Sequence, residues 1–401
     1  MKFLFFLTLS TTIACAQDGV SFESADGLYH LDILPSLEAV LWSGDTPAPA
    51  LLGETDQNFF APRMTLAMDA SAGSHWFLHA TTRVDRGFDA GDESNGQVRL
   101  DIITLRWRVF DDPSLNFQIG KVPTAFGAWP GQSDFFDDPF LLAPLPYSQI
   151  IGINSLSLAA MSPAAISARA NGSAAAVSTL PKDSWASTIW GPAYGTGGRV
   201  FGVTEHLDYA LEIKGTALSS HPDSWSEVDF SHPSLTGRFG YRPDAAWAFG
   251  ISASRGPWLE DGATGLRPAG VDQDDLIQST LGLDVRWAHH RLILSGEIVL
   301  SEFETPAAGD LRTASWFLQA RWKVSPGFWL STRFGQVIAN DATGVTGTDV
   351  PWQPDVWRAE IGSGWRVTPN LLLKASYSFT HIDGDRLAGE HLLGTGMGWK
   401  F

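Results

Sequence analysis

Between residues 315 and 337 apolar and polar side chains alternate. Trp316, Leu318, Ala320, Trp322 and Val324 fall on one face, and Phe317, Gln319, Arg321, Lys323 and Ser325 on the other. After Pro326-Gly327 the alternation resumes, with Phe328, Leu330, Thr332 and Phe334 set against Trp329, Ser331, Arg333 and Gly335. A period of two with one apolar face predicts a β-strand, and Pro-Gly between two such runs predicts a hairpin. The device recurs at Trp107–Pro113, Trp287–His290 and Trp365–Asn370. Each time a Trp stands on the apolar face within a few residues of the turn. Repeated at one height, as with Trp107, Trp287, Trp322, Trp365 and Trp399, it has the form of an aromatic girdle at a membrane–water interface.

The pattern extends over most of the chain. Leu31–Trp42 predicts a first strand with Ile33, Leu37, Ala39 and Leu41 outward, and Phe60, Pro62, Met64, Leu66 and Met68 form the apolar face of a second. The Ser71–Ser74 turn leads to Trp76, Leu78 and Ala80, and Ile103–Val109 follows. Later hairpins pair Gly198–Thr204 with Tyr209–Leu218, Ser234–Tyr241 with Ala246–Ser254, Leu276–Trp287 with Arg291–Glu302, Ser315–Val324 with Phe328–Val337, and Trp357–Val367 with Leu371–Phe379. Glu390–Phe401 is the final strand.

Turns near residues 72, 112, 206, 244, 289, 326 and 369 are short, whereas Asp85–Gly96, His221–His232, Pro257–Asp275, Thr305–Leu311 and Ala339–Asp355 are long and polar. Short turns at one rim and long loops at the other predict an all-β, antiparallel transmembrane β-barrel with periplasmic turns and extracellular loops. Seven hairpins and a strand at each end make 16 strands. The Ala/Ser-rich run Gly152–Leu180 would make 18 if it held two more, but it lacks the apolar bulk that a lipid-facing strand needs. Residues 122–180 are therefore read as one long inserted loop, folded inward on the phenylalanines Phe135, Phe136 and Phe140 and narrowing the lumen.

The N-terminus carries Lys2, an apolar run from Phe3 to Leu9, and Ala14-Cys15-Ala16. That is the form of an export signal over residues 1–16, leaving 17–401 as a single barrel domain. Cys15, the only cysteine, would leave with it. The remainder then has no disulfide, thiolate metal site or cysteine nucleophile. The alternation of the last strand, ending on Phe401, resembles the C-terminal recognition signal of bacterial outer-membrane proteins. These features together predict the cell outer membrane, with its lipid and lipopolysaccharide as surroundings. A net charge of −17 argues against a nucleic-acid partner.

No catalytic motif stands out, and the sequence predicts neither an enzyme nor a cofactor. Gly195-Thr196-Gly197-Gly198 reads as a strand-entry turn. His289-His290 and the acidic runs Asp134/Asp137/Asp138 and Asp272/Asp274/Asp275 lack the spacing of a zinc or calcium site. The informative constellation is the inward face. By parity it carries Arg63, Arg106, Arg108, Lys214, Arg238, Arg286, Arg321, Lys323, Arg333, Arg358, Arg366 and Lys374, against Glu38, Asp69, Glu212, Asp284, Glu297 and Glu360. This excess of cations predicts a pore that weakly favours anions, carried above all by Arg321, Arg333, Arg358 and Arg366. An outer-membrane porin for passive diffusion of small hydrophilic solutes is the leading expectation. A barrel with an adhesin or enzymatic role, or a secreted all-β carbohydrate-binding protein, is the alternative.

Three stretches resemble the phosphate-selective porin O/P family. Phe117–Gly127 (FQIGKVPTAFG) is similar to that family's strand ending in Pro-Phe-Gly, with Ala125 in place of the usual Pro. Gly198–Val203 is similar to its Arg-Asp-x-Gly-Val strand without the Asp, and Ser234–Phe239 falls where a Gly-Arg strand is expected. The resemblance implies a 16-stranded barrel, often a homotrimer, passing small solutes. It does not extend to the family's lysine-rich phosphate site, because Lys121–Ile150 carries Lys121 alone and is acidic.

Overall fold

A computed structural model describes residues 14–16, 19–44, 58–85, 97–170, 185–222, 225, 230–260, 263, 270–345, 347–383 and 389–401. Most of the expected signal segment, residues 1–13, lies outside them. Sixteen strands form the wall: β1 Tyr29–Gly44, β2 Asn58–Ala72, β3 Trp76–Asp85, β4 Gln97–Arg108, β5 Asn116–Val122, β6 Gly195–Val203, β7 Leu207–Lys214 and β8 Ser234–Tyr241. They continue with β9 Trp247–Pro257, β10 Ile277–His289, β11 Leu292–Phe303, β12 Leu311–Ser325, β13 Phe328–Ala339, β14 Val356–Arg366, β15 Leu371–Ile382 and β16 Glu390–Lys400. Each is antiparallel to its neighbours, and β16 closes on β1 from Leu392↔Gly44 to Lys400↔Ser36. Closure leaves no sheet edge with unpaired backbone groups, which in lipid would cost several kcal/mol each. The all-β barrel of 16 strands is thus the observed architecture.

The strands form where the period-two pattern placed them, because a one-residue slip would turn every lipid-facing side chain inward. Leu37, Leu41, Phe60, Met64, Leu318, Trp322, Ile361, Leu393 and Met397 are all exposed on the outer face. Two boundaries differ from expectation. The Gly195–Gly198 run is already strand, paired with β5 on one side and β7 on the other, and β7 stops at Lys214. No described residue of the run, 152–170, joins the wall, and 171–180 lie outside the described residues. Instead Ile150–Asn154 pairs with Trp185–Ser187 in a separate two-stranded sheet.

The outer face carries aromatic side chains at two heights. Beside the short turns Trp76 stacks on Trp107 with ring centroids 6.1 Å apart, Trp107 on Phe117 at 5.7 Å, and Trp399 on Phe401 at 5.9 Å. Trp287 lies 6.1 Å from Trp247, and Trp322 and Trp365 are about half exposed. Toward the other rim Trp316, Phe334, Trp357 and Phe379 form a continuous row. From Trp357 to Trp365 a strand rising about 3.3 Å per residue covers about 26 Å, or about 20 Å of depth at a tilt of about 40°. That approaches the apolar band of about 25 Å expected of an outer-membrane barrel.

Candidate functional site

Strands β5 and β6 are hydrogen-bonded neighbours from Val122↔Gly195 to Asn116↔Phe201, yet the chain between them runs from Pro123 to Tyr194. This connection carries the helices α1, Leu145–Ser148, and α2, Pro163–Ala170. Its side chains pack inside the wall. The reason lies in the wall's own composition.

The inward face of β16 is a track of glycines. A Cβ at Gly398 would lie 2.6 Å from Phe135 Cε1 and 2.9 Å from Phe136 Cζ, and one at Gly396 would lie 3.0 Å from Leu141 and 3.2 Å from Phe135. At Gly394 it would meet Trp42 and Leu141, at Gly362 Phe140, and at Gly282 Phe126. Missing side chains in the wall thus receive the aromatic side chains of the insert. Phe135, Phe136 and Phe140 are all buried, the first two in one cluster with Val40, Trp42, Leu142, Leu372 and Leu392. Farther along, Ile151, Ile153, Leu158, Met161 and Ile166 share a core with Trp258, Phe303, Val337 and Trp352, so one side of the loop-end mouth is filled by packed apolar side chains.

Charged wall residues grip the insert by its main chain. Arg333 donates to the Leu142 carbonyl at 2.5 Å, Lys374 to the carbonyls of Asp138 at 2.5 Å and Phe140 at 3.1 Å, and Lys214 to that of Ala193 at 2.9 Å. Arg358 donates to the Ala143 carbonyl and Arg199 to that of Pro123. The acids do the converse. Glu297 accepts from the backbone N–H groups of Ala128 at 2.8 Å and Trp129 at 2.7 Å and from the Tyr147 hydroxyl. Glu212 accepts from Thr124 Oγ1 at 2.9 Å and Ala125 N at 3.1 Å. Within the insert, burial pushes the Asp138 carboxyl above its ordinary value against the pull of Arg333 and Lys374. Burial and then the Glu297 carboxylate hold the Tyr147 hydroxyl well above its own, so it remains a donor.

The inward cations therefore divide into two sets. Arg63, Lys214, Arg238, Arg333, Arg358 and Lys374 are engaged with acids or with the insert: Arg63 with Glu38, Arg238 with Asp284, and Arg333 with Glu360 at 2.6 Å. Arg106, Arg108, Arg286, Arg321, Lys323 and Arg366 lie close to the short turns and are at least partly exposed. The guanidinium groups of Arg106 and Arg108 sit over the Phe77 ring at 4.3 and 4.8 Å.

Between the insert and the inner face of β1–β4 remains a cavity of about 580 Å³. Its wall side is polar. Arg63 faces Glu38, Arg83 lies 2.9 Å from Asp101, and His79 Nδ1 lies 2.6 Å from Asp69 Oδ1. The Thr81 hydroxyl is 3.1 Å from His79 Nε2, beside a register shift between Thr81 and Thr82. Sequence reasoning missed His79, Thr81, Arg83 and Asp101. Their inward parity was available, but their grouping depends on which wall the insert leaves uncovered.

No family model matches the chain, and no curated protein matches its sequence. Solved structures share its fold. The outer membrane channel DcaP of Acinetobacter baumannii is similar over 96% of this chain and 100% of that one, with a TM-score of 0.58 and 9% identity. An anion-selective porin from Comamonas acidovorans is similar over 93% and 100%, with a TM-score of 0.56 and 10% identity. The trimer form of in-vitro folded OmpT, an outer membrane protein of Vibrio cholerae, matches over 93% and 99%, with a TM-score of 0.54 and 11% identity. The fold is that of outer-membrane porins.

Proposed function

We propose that this chain is an outer-membrane porin through which small hydrophilic solutes diffuse passively, the insert narrowing the lumen to a passage along β1–β4. One observation carries the reading: a closed barrel, filled on one side by its insert, keeps a polar-walled cavity on the other. A protein that needed only a sealed wall would have no use for inward charges along the uncovered strands. Anion preference in this reading is weak and has moved from where parity alone put it. Arg333 and Arg358 are committed to Glu360 and to the insert, so the cations left to act on a passing ion are those near the short turns, Arg286, Arg321 and Arg366 among them. Likeness to the phosphate-selective O/P family and assembly as a homotrimer belong to the same proposal. The strand motifs support the first, and the trimer form of a similar barrel supports the second.

Single-channel recording in a planar bilayer tests the reading. Discrete ohmic conductance is expected, with a reversal potential across a potassium chloride gradient that shows mild anion preference. Arg286→Glu with Arg321→Glu should reverse the sign, whereas a folded protein that passes no current would end the proposal.

A barrel enzyme is the second reading, and one cluster favours it. Asp69, His79 and Thr81 stand in the order orienting acid, base and hydroxyl, with His79 within hydrogen-bond reach of the other two. Hydrolysis of a small activated ester that disappears in Thr81→Val would support it.

A further inference from the structure

The charges around the cavity have a common arrangement. Along β1–β4 each cation lining the cavity has an acid beside it: Arg63 with Glu38, Arg83 with Asp101, and His79 with Asp69. Asp134 of the insert and Lys400 of β16 add one charge of each sign. The opposite face, formed by the insert, is mainly apolar, with Pro123, Leu141, Ala143, Pro192 and Tyr194, and its ionic groups are Asp134 and Asp138. The cavity is thus a slot with one face of alternating donors and acceptors and one mainly apolar face.

An ion entering the slot gains little. Its attraction to one member of each pair is opposed by the other member a few ångströms away, and it loses hydration. A vicinal diol is matched differently, because each hydroxyl both donates and accepts. Adjacent hydroxyls can accept from a guanidinium or imidazole N–H while donating to the neighbouring carboxylate. The ring's C–H face meets the prolines and Tyr194. A volume of about 580 Å³ lies within the range of small-molecule sites of about 300–1,000 Å³.

We infer that the slot between the insert and β1–β4 takes neutral polyhydroxylated rings, of the size of a monosaccharide, in preference to charged solutes of that size. The inference rests on the porin reading and names its solute class. Proteoliposomes holding the full chain are compared for uptake of glucose, glucuronate and glucosamine, pyranose rings of similar size that differ in charge. Glucose should enter severalfold faster than either. Equal or faster entry of glucuronate or glucosamine overturns the solute class while leaving a porin. No uptake of any of them, with the barrel shown folded by heat-modifiable migration, overturns the porin reading itself.

Glu38→Gln leaves Arg63 without its carboxylate and should raise glucuronate uptake severalfold relative to glucose. Asp69→Asn provides the same test at His79 should the buried Glu38 site fail to fold. An unchanged glucose-to-glucuronate ratio in a folded variant overturns the pairing argument.

Discussion

Replacing Gly396 and Gly398 of β16 by valine should loosen the insert and leave the barrel intact. Each new Cβ would enter space held by Phe135, Phe136 or Leu141, at 2.6 to 3.2 Å from their ring carbons and methyl groups. Overpacking of this kind costs about 1–3 kcal/mol per site. Opposing it, burial of Phe135 and Phe136 contributes about 1.5–3 kcal/mol each. Two valines therefore set about 2–6 kcal/mol of strain against about 3–6 kcal/mol of docking, close enough that an undocked state becomes populated. The expected record is a larger and noisier single-channel current, together with chymotrypsin cleavage after Phe135 or Phe136. Thr395→Val, on the lipid side of the same strand, should change neither. Adding Phe135→Ala to Gly398→Val should recover part of the lost stability, since the two sites are in contact and their effects should not add. An unchanged current and an uncut Phe135–Phe136 bond in the folded double valine variant would refute the docking argument.

Arg333→Met removes the nearer of the two buried cations on Glu360, leaving Arg358 at 3.3 Å, and takes the side-chain donor from the Leu142 carbonyl. It should lower barrel stability by about 1–3 kcal/mol, read as a fall in the heat-modification temperature, while Arg321→Met should move the reversal potential with little change in stability. Asp138 binds its proton more tightly in the folded protein than in the unfolded chain. Its contribution is therefore greatest below the ordinary carboxylate range and is lost as pH rises through the raised value, so Asp138→Asn should flatten thermal stability against pH in the mildly acidic range. Leu318→Arg, at mid-wall on the lipid face, should cost about 2–4 kcal/mol of folding free energy in vesicles, and Trp322→Arg at the girdle only about 0–1 kcal/mol. Equal penalties would show that the girdle does not mark the interface.

Most of the wall was legible in the sequence, because lipid on one side and water or protein on the other impose a period of two, interrupted only locally by register shifts such as those at Thr81/Thr82 and Lys323/Ser325. The short turns and the Trp row had the same cause. Inward parity assigned Arg333, Arg358, Lys214 and Lys374 to the lumen side, but it carried no sign that they would be covered. Their partners are the carbonyls of Leu142, Ala143, Ala193, Asp138 and Phe140, and a main-chain carbonyl has no residue identity to read. The glycines of β16 posed a related problem. Alternating Gly394, Gly396 and Gly398 marked a face, but an absent side chain does not name its occupant. Residues 150–170 lacked a periodic face for another reason: Ile151, Ile153, Met161 and Ile166 bury themselves against Trp258 and Trp352 from short, irregular elements.

The glycine track also orders events during folding. It lies on β16, the strand that seals the barrel against β1, and the cluster seating Phe135 and Phe136 includes Val40 and Trp42 from across that seam. Until the seam forms, these two rings have only the half of their seat that Gly396, Gly398, Leu372 and Lys374 supply. An unsealed barrel would leave their other side uncovered, so the insert is fully set only as the wall shuts.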